Sequence, residues 1–252
     1  MLILCFCKYT QAALHKEIME YKDGDAVLEG YLAYDDASNE KKPGVLVVHE
    51  WKGLGDYAKR RADQLADMGY IAFAVDMYGK GVRAETHEEA GKLAGIYKSD
   101  RNLMRKRVLA GLDVLKGHAL TDTTRIVAIG YCFGGTTVLE LARSGADIAG
   151  VVSFHGALDT PNLDDAKNIK CKVLVLHGAN DGFIKPEQIA AFQDEMRNAD
   201  VDWQMIYYGG AVHSFTVVEA GNDPSQGMAY NEKADQRSWQ TMKDFFAEIF
   251  GQ

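Results

Sequence analysis

The 252-residue sequence is poor in cysteine and proline, with four of each. Cys5 and Cys7 fall at the start of the chain, while Cys132 and Cys171 stand far apart. Such spacing builds neither a disulfide framework nor a zinc site. A reducing, cytoplasmic compartment is the expectation. No apolar run approaches the ~20 residues that span a bilayer. The longest covers residues 1–7, with the small residues Ala12 and Ala13 behind it. Small residues there suit a signal peptide, but no Lys or Arg precedes the run. Residues 1–14 are therefore read as a leader of open status. A periplasmic location is the alternative, if residues 1–13 act as a signal peptide. Basic residues are also few: 28 Lys and Arg against 36 Asp and Glu, a net charge of −8. A nucleic-acid binder needs a basic patch that this balance does not suggest. No His/Asp cluster has metal-ligand spacing, so neither metal nor cofactor is expected.

What the sequence does have is apolar material for a sizeable core, 47% of its residues, with 25% charged. Strand-like and helix-like segments alternate along it. Residues 27–34, 45–49, 71–75, 125–129, 148–154, 173–177 and 203–208 read as strands. Several are short, Val-rich runs of the kind buried on both faces. Residues 57–68, 88–97, 103–115, 134–143, 186–197 and 234–250 read as helices. Asp56 is the expected N-cap of the first of these, and Pro186 opens the fifth. This alternation predicts one α/β domain over residues 15–252, with a mostly parallel central sheet and helices on both faces. Functional side chains in such folds gather beyond the carboxyl ends of the strands.

Residues 130–135, after the fourth of the internal strands, read Gly-Tyr-Cys-Phe-Gly-Gly. This is the nucleophile-elbow pattern G-x-S-x-G with Cys132 in the serine's place. The glycines let the nucleophile sit on a tight, strained strand-to-helix turn. The helix behind it presents free N–H groups and its positive end, which favours a thiolate. Asp181 follows the next strand but one, and His213 follows the last strand. The order Cys132, Asp181, His213 is nucleophile, acid, base, which is the order of an α/β-hydrolase. Backbone N–H groups of Phe133 and Trp51 are the candidates for the oxyanion hole. Glu50 sits beside that second loop and, on the residues alone, reads as a surface glutamate. His15, His49, His87, His118, His155 and His177 read as structural or surface residues.

These residues resemble the dienelactone hydrolase family. The likeness runs from about Glu17 to Phe250 through DGDAVLEGYLAY, VLVVHEWKG, AVDMYGKG, GYCFGG, HGANDGFI and AVHSF. It implies an α/β-hydrolase with a Cys132–His213–Asp181 triad. It also implies that Glu50 takes the thiol proton when substrate arrives, so that the resting thiol is inert. The family's namesake substrates are cyclic enol lactones bearing a carboxylate, which those enzymes grip with two arginines. Here one arginine position reads Lys80, with Arg83 nearby. The other falls in residues 215–218, Phe-Thr-Val-Val, which hold no base. Losing a bidentate clamp is not conservative.

The expected activity is therefore hydrolysis of uncharged carboxylic esters or lactones. In its triad order and incomplete arginine clamp the sequence also resembles dienelactone-hydrolase-like proteins that hydrolyse organophosphate triesters without metal, which implies those as promiscuous substrates. Alternatives are the namesake activity on carboxylate-bearing enol lactones, or a non-catalytic ligand-binding relative, which would be expected to show a broken triad. Tyr78, Lys80, Arg83, Phe183 and Phe215, together with Trp51 and Phe133, are the expected pocket residues. Small-molecule substrates are the expected partners, with no nucleic acid and no membrane. The chain is expected to be a monomer or a homodimer.

Overall fold

The computed structural model describes residues 14–251; residues 1–13 of the leader, with Cys5 and Cys7, lie outside these. Eight strands form one sheet: β1 (Leu14–Asp23), β2 (Ala26–Asp35), β3 (Lys42–Val48), β4 (Ile71–Val75), β5 (Thr121–Tyr131), β6 (Gly150–Phe154), β7 (Lys172–Gly178) and β8 (Trp203–Tyr208). Six α-helices connect or flank them: α1 (Asp56–Asp67), α2 (His87–Ser99), α3 (Arg101–Gly117), α4 (Phe133–Arg143), α5 (Pro186–Asn198) and α6 (Glu232–Phe250). The spatial order is β1-β2-β4-β3-β5-β6-β7-β8. The β1–β2 hairpin joins β4 antiparallel, and every pair from β4 to β8 is parallel. This is the mostly parallel α/β sheet expected from the alternation.

Side-chain alternation explains the near-continuous apolar strands. On β3, Leu46 and Val48 enter one core while Val45 and Val47 enter the other. On β5, Ile126 and Ala128 face the first core, and Val127 and Ile129 the second. A strand covered on both faces has no polar side to show. One core is completed by Met104, Val108, Leu112, Val138, Leu141, Phe192 and Met196 from α3, α4 and α5. The other is completed by Ala58, Ala62 and Leu65 of α1 with Met242, Phe245 and Phe246 of α6.

Two local expectations are corrected. The N-cap of α1 is Gly55, and Asp56 lies in the first turn, where its charge meets the helix dipole. β1 carries no strand signal in the sequence, because its outer face is charged. Its Lys16, Glu17, Glu20 and Lys22 blunt an exposed edge.

The chain reverses its winding at β3. The α1 connection runs to β4 on one side, and the next strand, β5, pairs on the other. Loops after β3 and β5 therefore open over a crevice at the carboxyl ends of the strands. Helix α4, which starts there, is anchored at its far end. Arg143 is fully buried, and its guanidinium grips both Glu195 oxygens at 2.7–2.8 Å and Glu140 at 3.0 Å. The planar fork suits such pairing. It fixes α4 to α5 behind the crevice.

Candidate active site

Cys132 stands between β5 and α4 with φ 54°, a left-handed conformation rare for a residue with a side chain. The turn closes only because its neighbours lack side chains. A Cβ on Gly130 would come within 2.0 Å of the Gly134 carbonyl oxygen, and one on Gly134 within 2.2 Å of the Val48 oxygen. Cys132 is the residue before the first turn of α4, so the free N–H groups of that turn surround it.

The structure brings the predicted triad together. Asp181 follows β7, and its Oδ2 lies 2.8 Å from His213 Nδ1. Its Oδ1 accepts the Phe183 N–H at 3.0 Å, which fixes the carboxylate. His213 N–H donates to Gly227, and its carbonyl accepts from Ala229, so the histidine loop is pinned on both sides. Burial alone would push the His213 imidazole down. The Cys132 sulfur and the Asp181 carboxylate reverse this and push it up to about 10. His213 thus lies between two groups that favour its protonated form.

Cys132 and His213 share a cavity of about 230 Å³, lined also by Trp51, Lys98, Phe133, Thr136, Ala157, Phe183, Ile184 and Met228. Its walls are mostly apolar. Trp51 comes from the loop after β3, where His49 sets the backbone. His49 Nε2 accepts the Met77 N–H at 3.2 Å, so Nδ1 carries the proton and donates to the Glu50 carbonyl. The Glu50–Trp51 peptide is trans, so the Trp51 N–H points the opposite way from that carbonyl. Among the described residues, neither the Trp51 nor the Phe133 N–H has a partner. Burial pushes His49 down to about 4, so it stays neutral in this role.

Four of the expected pocket residues lie elsewhere. Phe215 is fully buried against His155 and Tyr208, in the core beneath His213. Tyr78 is buried among His49, Tyr97 and Phe133, with its hydroxyl donating to the Trp51 carbonyl at 2.9 Å. Lys80 pairs with Glu20 at the surface, and Arg83 is exposed outside the cavity. Trp51, Phe133 and Phe183 do line it. Lys98, on the polar side of α2, and Met228, in the segment paired with His213, carry no motif that sequence could show.

Glu50 does not line the Cys132 cavity. It opens with Tyr57, Arg60, Val217 and Glu219 onto a neighbouring cavity of about 280 Å³. Partial burial pushes its carboxyl up to about 7, opposed by the His213 charge. The sulfur acts on His213, and the His213 charge in turn acts on Glu50. A raised carboxyl stabilises the fold fully below its ordinary value of 4.5 and loses that contribution as pH rises through 7. Glu50→Gln should therefore exceed the wild type in urea midpoint at pH 8 and show no such gain at pH 4. An equal effect at both pH values would contradict the burial of this carboxyl.

The fold and this constellation define an α/β-hydrolase. Residues 28–250 match the model of the dienelactone hydrolase family, and the chain belongs to that family. It is an enzyme, a hydrolase of ester or lactone bonds. The crystal structure of the dienelactone hydrolase-like promiscuous phosphotriesterase P91, from metagenomic libraries, superposes with a TM-score of 0.90 at 40% identity. That match covers 94% of this chain and 99% of the other. The protein usf of Aquifex pyrophilus is 27% identical over 92% of this chain and 98% of its own length. An uncharacterised protein of Caenorhabditis elegans is 36% identical over 60% of this chain and 98% of its own length. No helix among the described residues is long and apolar enough to cross a membrane.

Proposed function

We propose that the protein hydrolyses uncharged carboxylic esters or lactones through a covalent thioester on Cys132. The observation that carries this is that Cys132 and His213 share one apolar cavity while the buried Asp181 holds the imidazole from behind. Cys132 stands on a strained turn, His213 faces it, and Asp181 holds the imidazole at 2.8 Å. The Cys132 thiolate attacks the carbonyl carbon and forms the C–S bond. The Phe133 and Trp51 N–H groups hold the tetrahedral oxyanion, a role worth roughly 3 kcal/mol per donor. The C–O bond then breaks, and the leaving alkoxide takes a proton from the His213 imidazolium. The neutral imidazole removes a proton from water, hydroxide attacks the thioester, and the thiolate departs with its charge restored. Glu50 acts through the charge on His213.

A neutral substrate suits this cavity, because its walls are mostly apolar and its lysine, Lys98, gives a single point charge in place of a bidentate clamp, while Lys80 and Arg83 lie outside it. A second reading rests on the 40% identity to a promiscuous phosphotriesterase. The same thiolate can attack phosphorus and form a P–S bond as the P–O bond to the aryl group breaks. The aryloxide takes the His213 proton, and the Phe133 and Trp51 N–H groups receive the charge on the phosphoryl oxygen. Water activated by the neutral imidazole then cleaves the P–S bond and restores the thiolate. Among the described residues no three His, Cys, Asp or Glu side chains are grouped as a metal site requires. Turnover of an aryl ester and of a neutral aryl phosphotriester should therefore both survive excess EDTA. A panel of aryl esters, neutral lactones, a carboxylate-bearing enol lactone and an aryl phosphotriester tests the ranking. Higher kcat/KM for the carboxylated lactone than for its neutral counterpart would overturn the assignment to uncharged substrates. Loss of phosphotriester turnover in EDTA, with ester turnover intact, would overturn the second reading.

A further inference from the structure

We propose that His155 is the positioning residue of this site: its ring ties the backbone of the nucleophile turn to the loop that carries His213. The inference rests on the reading of Cys132 as nucleophile and His213 as base. His155 immediately follows β6, is fully buried, and has φ 41°. A histidine in that conformation is strained and persists only where its surroundings hold it. Here every polar atom of the ring is engaged. Nδ1 accepts the Cys132 N–H at 3.1 Å, in a bond that this N–H shares with the Phe154 carbonyl at 3.0 Å. Nε2 lies 2.8 Å from Thr216 Oγ1, on the segment that follows His213.

These contacts fix the tautomer. Nδ1 faces a donor and must be bare, so Nε2 carries the proton and donates to Thr216. Burial and the nearby His213 charge hold His155 well below its ordinary value, in agreement with a neutral ring. The network continues outward. Thr216 Oγ1 also accepts the Tyr57 hydroxyl at 2.7 Å, and Arg61 Nε donates to the Tyr57 oxygen at 3.1 Å. Arg61 in turn pairs with Asp235 of α6. The ring is thus a strut between a rigid network beneath His213 and the amide of Cys132. Its centroid stands 5.4 Å from that of His213. With Cys132 N–H drawn down to His155, the adjacent Phe133 N–H is left to face the cavity.

The acceptor at Nδ1 is what the proposal requires. Asn can place Oδ1 where Nδ1 stands, and Asn tolerates positive φ. Gln reaches only the Nε2 position, and Leu fills space without an acceptor. His155→Leu and His155→Gln should each lower kcat for an aryl ester about a hundredfold with KM little changed, the cost of a misplaced reacting atom. His155→Asn should restore kcat to within about tenfold of the wild type. If the Leu and Gln variants do not fold, Thr216→Val, which frees the Nε2 end of the ring, should lower kcat about tenfold. Wild-type kcat in the Leu or Gln variant, or in Thr216→Val, would overturn the proposal, as would an Asn variant no better than Leu. Cys132→Ala in the same assay separates the two ideas. Turnover there refutes the nucleophile, whereas an inactive Cys132→Ala beside a fully active His155→Leu refutes only the strut.

Discussion

Cys132→Ala is expected to lower kcat/KM for an aryl ester by about 10⁴-fold or more, because nucleophile and base act as a unit. The residual activity would come from the oxyanion hole and binding alone. Stability should change little. Position 132 already holds a side chain at positive φ, and alanine adds no atom to that turn. The half-buried sulfur has the His213 imidazole as its partner, and that ring opens on the cavity and keeps its bond to Asp181 in the variant. His213 loses one of the two groups that pull it up, so its imidazole should titrate lower in the variant. Cys171 provides the control. It is buried at the start of β7, and burial pushes its thiol up to about 12, so it is inert at neutral pH. Loss of activity with Cys132→Ala but not with Cys171→Ala, each with a circular-dichroism melt like that of the wild type, is the expected result.

Gly130→Ala is expected to destabilise the protein by more than about 3 kcal/mol, well beyond the usual range of a surface change. The added Cβ would meet the Gly134 carbonyl oxygen at 2.0 Å, its carbon at 2.2 Å and the Gly135 nitrogen at 2.8 Å. All three are backbone atoms of the first turn of α4, so no rotamer change relieves the clash. Either the helix start moves or β5 does. Moving α4 is opposed at Gly134, where the space toward the Val48 and His49 carbonyls is too small even for a Cβ, which would lie 2.2 and 2.7 Å from their oxygens. It is also opposed by the buried Arg143–Glu195 pair at the other end. The variant should therefore lose activity together with stability, unlike Cys132→Ala. A urea melt with an unchanged midpoint would show that the turn is looser than these distances state.

Much of this was legible in sequence, and for definable reasons. Buried parallel strands announce themselves by unbroken apolar runs, so β3 to β7 stand out. β1 does not, because its charged outer face breaks the apolar pattern. Cys132, Asp181 and His213 each follow a strand, and the topology that makes strand ends converge is itself readable. His155 follows β6 in the same way and belonged with them by that rule. As a lone histidine it read as structural, since only the fold brings its ring to the Cys132 amide. The pocket walls were the least legible part. Tyr78 and Phe215 sit at strand ends or beside His213, yet they pack inward, and sequence cannot tell which way an aromatic at a strand end turns. Lys98 reaches the cavity from α2, a helix whose approach is set by Ala94 and Tyr97 packing into the core shared with α3, α4 and α5. The role of Glu50 toward the thiol comes from resemblance alone, since a carboxylate at a strand end shows nothing in sequence of which cavity it opens on.

The central claim is a covalent thioester on Cys132, and it can be observed directly. The wild-type enzyme is mixed with p-nitrophenyl acetate, quenched in acid within the first turnover, digested, and mapped by mass spectrometry. The account predicts one acetyl group on the peptide containing Cys132, none on the peptide containing Cys171, and none anywhere in Cys132→Ala. Full release of p-nitrophenol with no acetyl at Cys132 at any quench time, or with the acetyl on another residue, would contradict it.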